Sequence, residues 1–270
     1  MGKTPQDFFA NLLFARIFPI LGFWNQIIQI LVGVSPAITS NPMARLHKYL
    51  GEFVYGGIDG SVTTFAVVAG SAGAGLDSQI IIILGFANLI ADGFSMSVGA
   101  YLSAKSEHDN FHKHRKREYK EIEETPELER EEVRQIYREK GFEGPLLEEV
   151  VRVITADKDR WVDVMMTDEL GMLKDGRSPL AIGGMTYLSF MLMGLIPLLS
   201  YTWDFLSPFP ADLFVSSCVL TGIAFIVVGA LKSAVTETRP FRSIAETVLL
   251  GTSAAVLAYL AGDLLEKLFA

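Results

Sequence analysis

The sequence predicts an all-α membrane protein: five transmembrane helices with a three-helix cytosolic domain between spans two and three. Three observations carry that prediction. Half of the residues (50%) are hydrophobic, and they come in long blocks rather than in a stripe of helical period; a block of about 20 apolar residues matches a hydrocarbon core of roughly 30 Å. Mean hydropathy is positive, at +0.34. Between the second and third blocks the composition turns abruptly charged, with 20 acidic and 15 basic side chains from 105 to 177. A formal net charge of -8 argues against a nucleic-acid partner, because a phosphate-binding surface needs excess Lys and Arg.

Residues 1–50 come first. Phe8 to Val34 is apolar and aromatic-rich, but Arg16, Asn25, Gln26 and Gln29 interrupt it and Pro19 breaks its helix. That pattern predicts an amphipathic segment lying in the cytosolic interface, with a sixth span as the alternative. A cleaved signal peptide would need a less broken apolar run. Residues 51–104 form a transmembrane hairpin: span one from Phe53 to Gly75, a turn at Leu76-Asp77-Ser78, and span two from Ile80 to Ala104. Residues 179–270 hold spans three to five, from Ala181 to Ser200, Asp212 to Leu231 and Ala245 to Leu265. The lone cysteine, Cys218, falls in an apolar run and reads as a small packing residue.

Basic loop residues set the orientation. Of 23 Lys and Arg residues, 15 lie between spans two and three, while the loop from Tyr201 to Ala211 has none. This places the N-terminus and the charged domain in the cytosol and the C-terminus outside or in a lumen. A plasma (inner) membrane and a vacuole-type membrane both fit.

The charged domain, 105–178, is expected to hold three helices. The first continues span two to Glu124. The second starts at Thr125-Pro126, with Thr as N-cap and Pro at the first helical position, and ends near Gly141. The third runs from Leu146 to about Leu170. Glu118 and Glu121 are three apart on the first, Glu129 and Glu132 three apart on the second, so each pair shares a helix face. The two pairs can converge across the turn at Pro126. Met165, Met166 and Glu169 join from the third helix. Carboxylate oxygen with thioether sulfur suits Fe(II), Mn(II), Zn(II) or Co(II) better than Ca(II). The competing reading is a solvated acidic face beside a methionine pair in the core. His108 and His112 share a face and could hold a metal, but read as solvent-facing, as does His114.

Carboxylates inside spans mark a pathway by default. Span one carries Asp59. Span two carries Asn88, Asp92 and Met96 at four-residue steps, lining one helix face with amide, carboxylate and thioether. Interhelical hydrogen bonding is the competing reading. The small residues of span one, Gly56, Gly57 and Gly60 among them, are expected to admit a close partner helix, including a second copy of span one.

The same residues carry a family likeness. The run from Gly56 to Ala66 (GGIDGSVTTFA) resembles the first-span motif of the vacuolar iron transporter family. The run from Phe94 to Glu107 (FSMSVGAYLSAKSE) is similar to its second-span exit, and that from Trp161 to Gly171 (WVDVMMTDELG) to the end of its metal-binding domain. The likeness extends roughly from Leu50 to Ala270. It implies five-span homodimers that exchange cytosolic Fe(II), often also Mn(II), for protons, with ions passing between the two first spans. It implies metal ligands at Glu118, Glu121, Glu129, Glu132, Met165, Met166 and Glu169, and pore residues at Asp59 and Met96. One departure stands out: the best-known members have a glutamate eight residues before that methionine, and this chain has Asn88, with Asp92 one turn later.

These readings predict a transporter with no resident cofactor. Its partners are the bilayer, a second copy of the chain, divalent metal ions and protons. A passive divalent-metal channel and a membrane-anchored metal sensor or store are the alternatives. An oxidising metalloenzyme would need open-site ligands such as Glu-x-x-His, which the charged domain lacks.

Overall fold

The structure is a computed structural model that describes residues 48–269; the expected interfacial segment, with His47, lies outside the described residues. All regular structure among the described residues is helical. Helix α1 spans Leu50–Gly73. The chain then reverses through Gly75, whose φ of 64° favours glycine, and re-enters at Asp77. Helix α2, Ser78–Glu124, runs unbroken for 47 residues. At 1.5 Å per residue it is about 70 Å long, more than twice the roughly 30 Å hydrocarbon core. Its first half spans and its second half stands in water.

The domain beyond the membrane differs from expectation in one respect. Helix α3, Pro126–Glu139, starts at the predicted proline, and Gly141 beyond its end has φ 93°. Thr125, however, does not cap with its side chain; its hydroxyl instead donates back to the Glu121 carbonyl at 3.1 Å. The expected third helix is divided into α4, Gly144–Thr155, and α5, Lys158–Val164. Asp157 makes the break, its Oδ1 accepting from the Arg160 backbone N–H at 2.8 Å as the cap of α5. Residues Met165–Glu169 then form a π-helical turn, closed by Leu170 N–H donating to the Met165 carbonyl at 3.1 Å. Phe111 and Ile122 of α2, Val133, Val151, Trp161 and both methionines make the apolar core of this domain.

Helix α6 is Pro179–Gly194, followed by a 3-10 turn, Ile196–Leu198, and α7, Leu199–Leu206. Span three is therefore not the single straight helix expected. Pro197 has no N–H to donate and crowds the preceding turn. The Ser217 hydroxyl of the neighbouring helix donates to the Pro197 carbonyl at 2.6 Å. Helices α8, Leu213–Thr236, and α9, Pro240–Phe269, complete the bundle. Among the described residues, five helical segments are long and apolar enough to cross a membrane: α1, α2, the α6–α7 unit, α8 and α9.

Helix α1 sits at the centre, packed by α6, α9, α8 and α2. Gly56, Gly57 and Gly60 serve that packing and are not free for a partner subunit. A Cβ on Gly56 would lie 2.5 Å from the Thr186 carbonyl oxygen, and one on Gly60 would lie 2.8 Å from the Phe190 Cα. Added methyls in such contacts cost about 1–3 kcal/mol. The expectation that these glycines receive a second span one is corrected: they receive α6 of the same chain. Cys218 packs against the cluster of Phe65, Ala69, Phe225 and Ala255, as a small packing residue should. On the outside, Leu249, Leu257 and Leu264 of α9 are 69%, 69% and 66% exposed, a continuous apolar face suited to lipid and not to water.

Candidate metal site and membrane path

The water-borne end of α2 meets α3 and the π turn at one place. Glu118 is buried, 3% exposed, and Glu129 is buried, 5% exposed. Neither makes an ion pair with any described residue, although Arg117 beside them pairs with Glu121 at 2.9 Å. Burial first, and then Glu169 and Glu121, push the Glu118 carboxyl up to about 7. Burial, then Glu132 and Glu118, push Glu129 up to about 7. Glu169 is raised by desolvation and by Glu132 and Glu121. The five carboxylates named from spacing therefore lie in one another's field. A divalent cation in that field would reverse each shift, because an opposite charge favours the ionised form. As they stand, no three His, Cys, Asp or Glu side chains among the described residues are gathered tightly enough to ligate one ion.

The methionines sit differently from the glutamates. Met165 and Met166 are 0% and 1% exposed and belong to the domain's apolar core. The π turn shifts the register between them and Glu169, so the α-helical spacing expected there does not apply. Beneath them the indole Nε1 of Trp161 is buried without a hydrogen-bond partner, while the Arg130 guanidinium lies 5.9 Å from its ring centre.

Inside the spans, Asp59 of α1 and Asp92 of α2 lie within electrostatic reach of each other. Both are half-buried, as are Asn88 and Met96. The Asn88 Nδ2 is buried with no hydrogen-bond partner. Beside the Asn88, Asp92, Met96 stripe runs a second one, Ala87, Ala91, Ser95 and Gly99, all exposed. On α1, Tyr55 is exposed and Asp59, Thr63 and Ala66 are half-exposed along the same face, with the Thr63 hydroxyl donating to the Asp59 carbonyl at 2.8 Å.

One residue of this region escaped the sequence reading. Glu52 lies two turns before Asp59 on α1, hence on its face, and pairs with Arg177. Arg177 also holds Asp175 at 2.8 Å, and Lys48 donates to the Gly176 carbonyl at 2.6 Å. This strap ties the start of α1 to the segment entering span three. The signal was an acid in the first turn of a span, hidden by drawing that span from Phe53. The histidines fall elsewhere: His108 and His112 are exposed on α2 with their Nε2 atoms 3.2 Å apart.

Comparison with known proteins fixes the lineage. The profile of the VIT family matches residues 50–263. The chain belongs to the VIT family. Among curated relatives, a protein named vacuolar iron transporter 1 from Arabidopsis thaliana is 36% identical over 209 residues, covering 77% of this chain and 82% of its own. Another of that name from Tulipa gesneriana is 32% identical over 241 residues, covering 86% and 96%. A vacuolar iron transporter from Toxoplasma gondii is 34% identical over 226 residues, covering 81% and 74%. The matched VIT region takes in α1 to α8, the whole charged domain among them, and α9 as far as residue 263. The protein is an integral membrane protein of this family.

Proposed function

We propose that this VIT-family chain transports divalent transition metal, Fe(II) first and Mn(II) after it, out of the cytosol in exchange for protons, as a homodimer. The observation that carries the reading is the pair of buried glutamates, Glu118 and Glu129, neither in an ion pair with any described residue, the first on the same continuous helix whose membrane half presents Asp92 and Met96 and the second facing it from α3. An uncompensated buried carboxylate is costly unless a cation arrives. Glu121, Glu132 and Glu169 add charge around the pair, and Met165 and Met166 offer thioethers from the domain core. Relatives named vacuolar iron transporter support iron as the cargo. The domain and the N-terminus lie in the cytosol by the distribution of basic residues. Zn(II) and Co(II) are acceptable to the same donors.

Asp59, Asp92, Asn88 and Met96 form the proposed path. The exposed small residues of α2 beside it, and the half-exposed Asp59 face of α1, are surfaces that a second copy would cover. Asn88 cannot titrate, so the exchanged proton must be carried by Asp92 or Asp59. The deciding experiment is Fe(II) uptake into proteoliposomes with a pH dye inside. Exchange moves protons opposite to metal; a passive channel moves metal with no proton signal; a sensor or store binds metal with no uptake. Asp92→Asn should leave metal binding by the cytosolic domain unchanged and abolish the dependence on a pH gradient, and Asn88→Glu in that background should restore part of it.

A further inference from the structure

We propose that His108 and His112 form a second metal site, for nitrogen-preferring divalent ions such as Zn(II), Ni(II) and Cu(II), on α2 away from the carboxylate cluster. The two rings are four residues apart on an unbroken helix, with Nε2 atoms 3.2 Å from each other. Zinc–imidazole bonds of about 2.0–2.1 Å place two ligand nitrogens about 3.4 Å apart in a tetrahedral shell and about 2.9 Å in an octahedral one. The observed separation lies between those values. The far side of His108 is occupied differently: its Nδ1 faces the Asp109 carboxylate at 4.0 Å. That distance is too long for a hydrogen bond, but the acid's charge on the Nδ1 side favours a proton there and leaves Nε2 for the metal. The His112 ring is braced edge-on by Phe111, with centroids 5.9 Å apart, and Phe111 is anchored in the domain core. The ligand pair is thus preset on a rigid element, and water supplies the remaining positions.

Two features separate this site from the cargo route. At about 100° per residue, the pair lies roughly 130° around α2 from the stripe of Met96, Glu118 and Glu121. The donors are also of another kind, imidazole instead of carboxylate, which moves preference toward Zn(II), Ni(II) and Cu(II). A metal here bridges two turns of α2 where the helix leaves the membrane. The site does not depend on the transport reading, and its consequence is stiffening of α2 when such ions are present.

The test uses the full-length protein in detergent with Glu118, Glu121, Glu129 and Glu132 changed to Gln, which removes four of the five cluster carboxylates. Calorimetric titration with Ni(II) should show one bound ion per chain. His108→Ala or His112→Ala should weaken it at least tenfold, and His114→Ala should leave it unchanged. The Cu(II) electron-spin spectrum should show coupling to two nitrogens, lost in His112→Ala. If the quadruple variant does not fold, the wild-type stoichiometry for Ni(II) should fall by one in His112→Ala. Ni(II) binding that is absent, or that survives the double His→Ala change, overturns the site and leaves a simple imidazole–imidazole hydrogen bond. Fe(II) uptake should be unchanged by His112→Ala; its loss overturns the separation from the cargo route.

Discussion

Glu118 and Glu129 are buried, and neither makes an ion pair with any described residue. For each, the folded-state value of about 7 lies above an ordinary value of 4.5. Their contribution to stability is therefore fully present below about pH 4.5 and is lost as pH rises through about 7. Without divalent metal, the protein should melt at lower temperature near pH 8 than near pH 5.5. Glu118→Gln should raise stability near pH 8 by on the order of 1 kcal/mol, a fraction of the full shift because the neighbouring carboxylates titrate together with it. Thermal melts with and without Mn(II) check this; a Gln variant that is less stable near pH 8 would contradict the sign. Met165 and Met166 pose a different residue-scale question, since they are core side chains as well as proposed ligands. Truncation to Ala confounds the roles by costing about 2–5 kcal/mol. Leu keeps volume and removes sulfur, at a cost under about 1.5 kcal/mol. The double Met→Leu variant should melt near wild type and bind Fe(II) several-fold more weakly. Unchanged affinity would assign the pair to packing alone.

At the scale of elements, α2 does most of the positioning, because one unbroken helix carries both the path stripe and two of the cluster glutamates. Asn110→Pro, at an exposed position between them, should cost about 3 kcal/mol of helix stability and kink the rod. Uptake should fall several-fold while the cluster still binds metal by titration; unchanged uptake would show that α2 need not be straight. The convergence of Glu118, Glu121, Glu129 and Glu132 was legible in the sequence because helix geometry alone fixes a three-residue spacing, and Pro126 marks the turn between the pairs. The break at Asp157 was written there too, as a capping aspartate within an otherwise helical run, but apolar periodicity on both sides concealed it. Pro197 was equally visible and was masked by the hydropathy of its block. The π turn at 165–169 was not legible: burial of two adjacent methionines in one core selects it, and adjacency in a core is a tertiary fact. The glycines of α1 were read correctly as close-contact residues and assigned to the wrong partner, since small side chains announce proximity without naming the neighbour.

For the whole molecule, the arrangement of α1 decides where a second copy can sit. Its glycine face is closed by α6, leaving the strip of Tyr55, Asp59, Thr63 and Ala66 open or half-open. Thr63→Cys and Ala66→Cys in a Cys218→Ala background should cross-link between subunits, and Ala91→Cys on α2 should do so with Ala66→Cys. Cysteines at Val219 or Leu257, on the lipid faces of α8 and α9, should not. Cross-links confined to α8 or α9 would remove the shared path and with it the two-copy arrangement proposed for Asp59.

The length of α2 has a kinetic consequence. Glu118 stands about 33 Å along the helix axis from Met96, several times the Debye length of about 8 Å at physiological ionic strength. The cluster and the in-span carboxylates are therefore electrostatically deaf to each other. A single ion held within a hemisphere of about 33 Å radius at the mouth amounts to a local concentration on the order of 20 mM. Under the proposed function, the domain would work as a capacitor in front of the pore, charging from a scarce supply and discharging close to the entrance. Its benefit should vanish when metal is abundant. Uptake by the quadruple glutamate variant should lag well behind wild type at limiting Fe(II) and converge on it at saturation; an equal deficit at every concentration would mean that the cluster is part of the conducting route itself.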